Sequence, residues 1–259
     1  LSPQTTVSNV YFHGPAIGEY VLMVVLALSR ELVKMDSVFR RGMWYGSWLW
    51  GTPPLAEIQG KALGLIGYGH IGKQVAVRAR AFGMKLWVMT AHPPVRKPRS
   101  VEFWGSPRQL PVLLRNADYV VLACPLNDQT RGLIGEREFA GMKPTASLIN
   151  VARGPIVDEQ ALYKALYTRR IQSAAIDVWY RYPSSERPCA PSRFPFHKLD
   201  NVIMTPHVSG WMKGTRDNRF KFIAENLDRL AAGKPLRNVV QGPRRRQVTP
   251  QPARFAALR

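Results

Sequence analysis

Several short stretches of this sequence hold residues whose types and spacing could do chemistry. GLIGYGHIG repeats glycine as G-x-G-x-x-G at Gly67, Gly69 and Gly72, behind an apolar run and ahead of a helix-forming one. Gly67 permits a tight turn, Gly69 lets main chain approach a pyrophosphate, and Gly72 lets helix and strand pack closely. The N–H groups near His70 and Ile71 would then face phosphates at the positive end of the helix. An ordinary turn can carry the same letters, so the strand–turn–helix context is what favours a dinucleotide. Arg153, in NVARGP, can grip a carboxylate with two parallel N–H bonds, or pair with a surface acid. Asp177 closes the apolar run AAID, and an acid buried there without a partner is costly, so a ligand amide is expected to face it. His207, in MTPHVSG, suits proton transfer if it shares a sheet edge with that arginine and a cofactor. A histidine without such company is more often structural.

These groups meet only if the elements between them bring them to one edge. From residue 61 the chain alternates apolar strands with amphipathic helices: KALGLIG then HIGKQVAVRARAF, then the strand MKLWVMT and the basic proline loop AHPPVRKPRS. A helix is predicted around 107–116, a strand in ADYVVLACPL, a helix within 130–142 and a strand in TASLINVA. DEQALYKALYTRR is a helix and IQSAAIDVW a strand; after the loop YPSSERPCAPSRFPFHK come a short strand, NVIMT, and a helix within 211–232. Ahead of them lie a strand over 5–10, a single helix over 14–36 and a packed aromatic connector, FRRGMWYGSWLWGTPP. This rhythm predicts an α/β chain with a Rossmann-type, doubly wound parallel sheet over about 60–208. Ligands of such sheets sit beyond the carboxyl ends of the strands, where the glycine turn, Arg153, Asp177 and His207 all fall.

The end of the second strand bears on the choice of cofactor. An acid there would take the protons of a ribose 2′-hydroxyl, but Thr90 occupies the position, and His92, Arg96, Lys97 and Arg99 follow without one acid. A carboxylate would repel a 2′-phosphate, whereas a hydroxyl among guanidinium groups would not, so NADP is expected over NAD. The alternative is a solvated basic loop.

Bulk composition narrows the class. With 46% hydrophobic and 21% charged residues, a chain of 259 residues reads as soluble and globular. The longest apolar run, YVLMVVLALS, is too short to span a bilayer and reads as a buried helix. Two distant cysteines, Cys124 and Cys189, imply neither a disulfide framework nor a metal site, and a reducing cytoplasmic compartment is expected. The net charge of +20 is spread over the globular part and topped by the acid-free tail 241–259. No recognition element accompanies it, so a basic surface is preferred to a nucleic-acid-binding module. The sequence opens on Leu1, which leaves room for an upstream segment.

Taken in order, GLIGYGHIG, CPLNDQTRGLI, LINVARGPIVDEQAL, AAIDVW and TPHVSG resemble the D-isomer-specific 2-hydroxyacid dehydrogenase family over roughly residues 7–240. The resemblance implies hydride transfer between a nicotinamide cofactor and a 2-keto or 2-hydroxy acid, as in a 2-ketoacid reductase. It implies that Arg153 binds the substrate carboxylate, that His207 is the acid/base and that Asp177 contacts the nicotinamide carboxamide. Cofactor contacts are implied for Pro125, Thr130, Val151, Ala152, Arg153, His207, Ser209 and Gly210, beside the glycine turn, Thr90 and Arg96. It also implies a twofold homodimer, for which the aromatic segment 38–50 is the candidate interface.

Departures from the family pattern accompany it. The glutamate that in most of the family pairs with the histidine is replaced by Tyr182, and Glu186 is a possible substitute. A phenol is neutral near pH 7 and offers no ion pair. Arg169 and Ser173 hold places usually held by glycine, the first at a helix end that favours a left-handed residue. A flavodoxin-like substrate domain is expected to be represented only by a remnant, 1–12, with 13–210 the dinucleotide-binding domain. Residues 211–240 are then the helix that returns to it, and 241–259 a disordered basic tail. About 100 further residues would complete that domain. The second reading is therefore a truncated, catalytically inactive dinucleotide-binding protein.

Overall fold

The computed structural model describes residues 5–44, 54–184 and 189–242. The connector beyond Trp44, Glu186 and the tail from residue 243 lie outside the described residues. The chain divides into a larger unit, Phe12–Arg216, and a smaller one, Leu1–Tyr11 with Asp217–Arg259.

In the larger unit a seven-stranded, wholly parallel sheet is built from β2 (Ala62–Ile66), β3 (Lys85–Met89), β4 (Phe103–Gly105), β5 (Tyr119–Leu122), β6 (Ser147–Asn150), β7 (Ser173–Ile176) and β8 (Val202–Met204). Their order is β4-β3-β2-β5-β6-β7-β8. The central strands are buried along their whole length, because helices cover both faces, and this is why ALGLI, YVVL and SAAI read as unbroken small and apolar runs. Helices α1 (Gly14–Ser29) and α3 (His70–Ala81) lie on one face, packing Val21, Val25, Val75 and Ala79 against Leu63 and Leu65. On the other, α4 (Leu110–Asn116), α5 (Glu136–Gly141) and α6 (Glu159–Tyr167) pack Leu113, Phe139 and Leu162 against Val120 and Leu148. Leu65 and Leu113 are wholly buried, and each contributes about 2 kcal/mol of transfer free energy.

From β2 the strand order runs outward to β3 and β4, then returns to the other side of β2 with β5. The reversal opens a crevice between the ends of β2 and β5, where such sheets bind ligands. Gly67 stands there with a φ of 101°, and a Cβ on it would lie 2.6 Å from the Ala123 carbonyl oxygen. A Cβ on Gly72 would lie 2.3 Å from the Gly67 carbonyl oxygen, so the start of α3 can close on its strand only with glycine.

Three sequence expectations change. The helix expected over 14–36 is two helices, α1 and α2 (Leu32–Phe39), because Glu31 is left-handed at a φ of 47° and its N–H closes the last turn of α1 onto Leu28. An edge strand, β4, follows the proline loop, where the sequence reading has only a connection before the next helix. In the smaller unit, the strand expected over 5–10 shrinks to β1 (Val7–Ser8), paired antiparallel with an unexpected β9 (Val239–Gln241). There α7 (Lys213–Ala231, from Asp217 onward) is tied to the strand pair by Asn226, whose side chain bonds Ser8 Oγ and both main-chain groups of Arg237. Among the described residues no helix is long and apolar enough to cross a membrane.

Candidate active site

The carboxyl ends of β2, β6, β7 and β8 carry the residues singled out from sequence onto one edge of the sheet. At β2 the chain turns through Gly67 and enters α3 at His70, with Gly69 as the residue before the helix. A Cβ on Gly69 would meet nothing within 4 Å, and no acid or side-chain cap stands at the first turn of α3. Open main chain at the N-terminus of a three-turn helix is the environment a pyrophosphate needs. Beside it, after β5, Thr130 donates its hydroxyl to the Pro125 carbonyl (2.6 Å) and folds the 125–130 loop on itself. Thr90, at the end of β3, receives the indole N–H of Trp104 at 3.0 Å. His92, Arg96 and Arg99 are exposed, whereas the Lys97 ammonium is drawn back onto the Val101 carbonyl.

Arg153 follows β6 with an exposed side chain that donates to the carbonyl of Ala152. Its main chain is set by Asn150, the last residue of β6 and only 1% exposed: its amide nitrogen donates to the Arg153 carbonyl and its oxygen receives the Ala152 N–H. Val151 and Ala152 turn their side chains inward, which leaves main chain to line the crevice. Arg153 and His207 are two strands apart on this edge, roughly 10 Å at ordinary strand spacing.

Asp177 has partners that the sequence reading does not give it. It is fully buried, yet its partners lie within the chain. Oδ1 accepts from Thr205 Oγ1 (2.6 Å) and from the Val208 N–H (2.9 Å), and Oδ2 accepts from the Ser209 N–H (3.0 Å). The acid is buried because the 205–209 turn folds back onto it, and no ligand amide is required to repay the cost. Thr205 has one proton and spends it on Asp177, so the Tyr20 hydroxyl, 2.6 Å away on α1, must be the donor to Thr205. Burial is the main reason that the Tyr20 phenol is pushed up to about 12; the Asp177 charge adds to it and the Thr205 bond opposes it.

This clasp holds a strained residue. His207 is left-handed, at a φ of 58°, a conformation that histidine enters more readily than most side chains but still at a cost. Asp177 grips the next two amides and so fixes the direction in which the imidazole leaves the turn. Nδ1 lies 3.0 Å from Tyr182 Oη, which also receives the Trp179 N–H at 3.2 Å. Trp179 in turn donates its indole N–H to the Thr205 carbonyl at 2.8 Å. Imidazole and phenol line a cavity of about 590 Å³ together with Trp179, Arg181, Met204 and Pro206. Tyr182 therefore stands beside the histidine as its place in the sequence suggests, while Asn150, Thr205, Trp179 and Tyr20 went unnoticed. Only Asn150 carried a usable signal, a polar amide closing the apolar run SLIN.

Arg169 is left-handed, at a φ of 56°, and its guanidinium pairs with Asp200. Ser173 shares a buried hydroxyl–hydroxyl bond of 2.7 Å with Ser147 on the neighbouring strand. Both residues thus have polar partners of their own where glycine would have none.

Comparison with known proteins sets this edge in context. Residues 22–209 match the model of the D-isomer specific 2-hydroxyacid dehydrogenase, NAD binding domain. A glyoxylate reductase of Thermococcus gammatolerans is 36% identical over 217 residues, which are 82% of this chain and 62% of that protein. The glyoxylate reductase of Aeropyrum pernix is 38% identical over 229 residues, 87% of this chain and 66% of its own length. The chain thus spans less than two thirds of either relative. Among solved structures, a D-isomer specific 2-hydroxyacid dehydrogenase from Xanthobacter autotrophicus, in complex with NADPH and MES, superposes with a TM-score of 0.77 at 28% identity, over 93% of each chain.

Proposed function

Because this chain belongs to the D-isomer specific 2-hydroxyacid dehydrogenase family, we propose that it forms the cofactor-binding and acid/base part of an NADP-preferring reductase of 2-keto acids. The observation that carries this reading is the pairing of Tyr182 with His207 on the same sheet edge as the open glycine turn. The crevice fits a nicotinamide dinucleotide: α3 begins at the glycine turn with no acid in its first turn, and Gly69 leaves room for the pyrophosphate. Thr90 and the exposed Arg96 would receive a 2′-phosphate.

When bound, the reduced nicotinamide supplies the hydride that a 2-keto acid takes at C2. Each residue then has a defined task. Arg153 holds the substrate carboxylate and so points the C2 carbonyl into the site. His207 gives a proton to the 2-oxygen as negative charge develops there. Tyr182 fixes the imidazole ring from its Nδ1 side, and Asp177 fixes the turn beneath it. The cavity beside His207, walled by Trp179, Met204 and Pro206, leaves room for the substrate next to the imidazole. A second copy of this chain is the partner that this reading expects, seated on the aromatic segment 38–50, of which 38–44 are described, and on the exposed apolar residues of α2 beside it.

Titration with NADPH and NADH, followed by loss of NADPH absorbance with glyoxylate and larger 2-keto acids, tests the proposal. Gly69→Val should abolish binding of both dinucleotides, since a side chain there would stand where the pyrophosphate lies. Tight cofactor binding with no turnover of any 2-keto acid, in a protein with the substrate domain restored, would favour a silent dinucleotide-binding protein instead.

A further inference from the structure

At the crevice rim nearest the end of β3, one hydrogen bond has a fixed direction. Trp104, on the edge strand β4, places its indole Nε1 3.0 Å from Thr90 Oγ1. An indole N–H can only donate, so the threonine oxygen is the acceptor and its own proton is kept for another partner. The indole is itself held in place. It is half-buried, and the ring of Tyr68, the residue between Gly67 and Gly69, meets it edge-on with centroids 4.7 Å apart. Trp104 therefore ties the end of β3 to the turn that would carry the pyrophosphate.

We propose that Trp104 is a specificity-determining residue: by filling one of the two acceptor sites of Thr90, it biases that hydroxyl toward donation to a 2′-phosphate on the adenosine ribose. The inference rests on the reading of the crevice as an NADP site and adds how the choice is made. A ribose 2′-hydroxyl is best met by a group that takes its proton, whereas a phosphate monoester near pH 7 offers acceptor oxygens and calls for donors. The exposed guanidinium groups of Arg96 and Arg99 attract the anion without fixing where it sits, and Lys97 is occupied by the Val101 carbonyl. Thr90 is the donor fixed to the sheet itself.

Fluorescence titration of the whole chain with NADPH and NADH, for the wild type, Trp104→Phe, Thr90→Val and the double variant, tests this. Adenosine 2′,5′-bisphosphate against AMP serves as a probe of the same position. Thr90→Val should reduce the preference for the phosphorylated ligand about tenfold, the worth of one charge-assisted hydrogen bond. Trp104→Phe should lose part of the same preference, and the double variant no more than Thr90→Val alone. An undiminished preference in Trp104→Phe, or losses that add independently, would overturn the inference. So would equal weakening of both ligands in a variant that keeps its circular dichroism, because Trp104 would then merely support the glycine turn. A wild type that binds NADH as tightly as NADPH would instead remove the NADP reading, and the inference with it.

Discussion

His207 has a partner without charge. The Trp179 main chain can only donate to Tyr182 Oη, which leaves the phenol proton available to His207 Nδ1; where Nδ1 accepts it, the neutral ring carries its own proton on Nε2. A hydrogen bond orients the imidazole as a carboxylate would, but it does not favour the cation through an ion pair. Replacing Tyr182 by Glu should therefore move the alkaline limb of keto-acid reduction to higher pH. Tyr182→Phe should lower kcat by about tenfold, because Nδ1 loses the partner that fixes its tautomer. Reductase rates measured against pH for the three proteins decide the matter, and an unmoved limb in the glutamate variant would mean that the two side chains do not meet during turnover. The phenol at this position could be read from sequence alone. The backbone donor on the phenol could not, because main-chain groups leave no letter.

The element that matters most is the turn 205–209, held from below by a relay that runs from Tyr20 on α1 through Thr205 to Asp177. Tyr20→Phe removes the first donor of that relay and should cost about 1 kcal/mol at pH 7. The cost depends on pH in a defined direction. The Tyr20 phenol is raised to about 12 in the folded chain from an ordinary 10, so the folded state holds its proton more firmly between those values. Its stabilising contribution is complete below pH 10 and falls away as pH rises toward 12. Denaturant unfolding should thus find Tyr20→Phe the weaker protein at pH 7 and no weaker near pH 11; a gap that persists at pH 11 would contradict the assignment. Legibility followed the same divide between letters and contacts. Strands buried on both faces and the glycine turn are dictated by residue type, so they could be read directly. The break between α1 and α2 falls at Arg30 and Glu31, which carry neither glycine nor proline, and β4 hides behind a proline loop because an edge strand needs only three residues of pairing. The partners of Asp177 stay hidden for a related reason: they are a hydroxyl and two amides that a later turn brings back.

At the scale of the whole molecule, Leu32, Val33 and Phe39 on α2, with Met43 and Trp44 after it, are all more than half exposed, an apolar surface that a soluble chain seldom leaves open. A homodimer closed over this face should sediment as one species at micromolar concentration, and Val33→Asp with Phe39→Asp should convert it to monomer. A wild type that is monomeric under those conditions would remove the proposed partner. The crevice itself has a history within the chain. Gly67 leans on the main chain of Ala123, and β2 acquires that neighbour only when β5 docks against it, after α3, β3, β4 and α4 have been made. A growing polypeptide that has just released its glycine motif thus carries the letters of a nucleotide site without the walls of one. The ligand can act only on the finished sheet, so it should slow the escape from the native state and leave the climb toward it unaided.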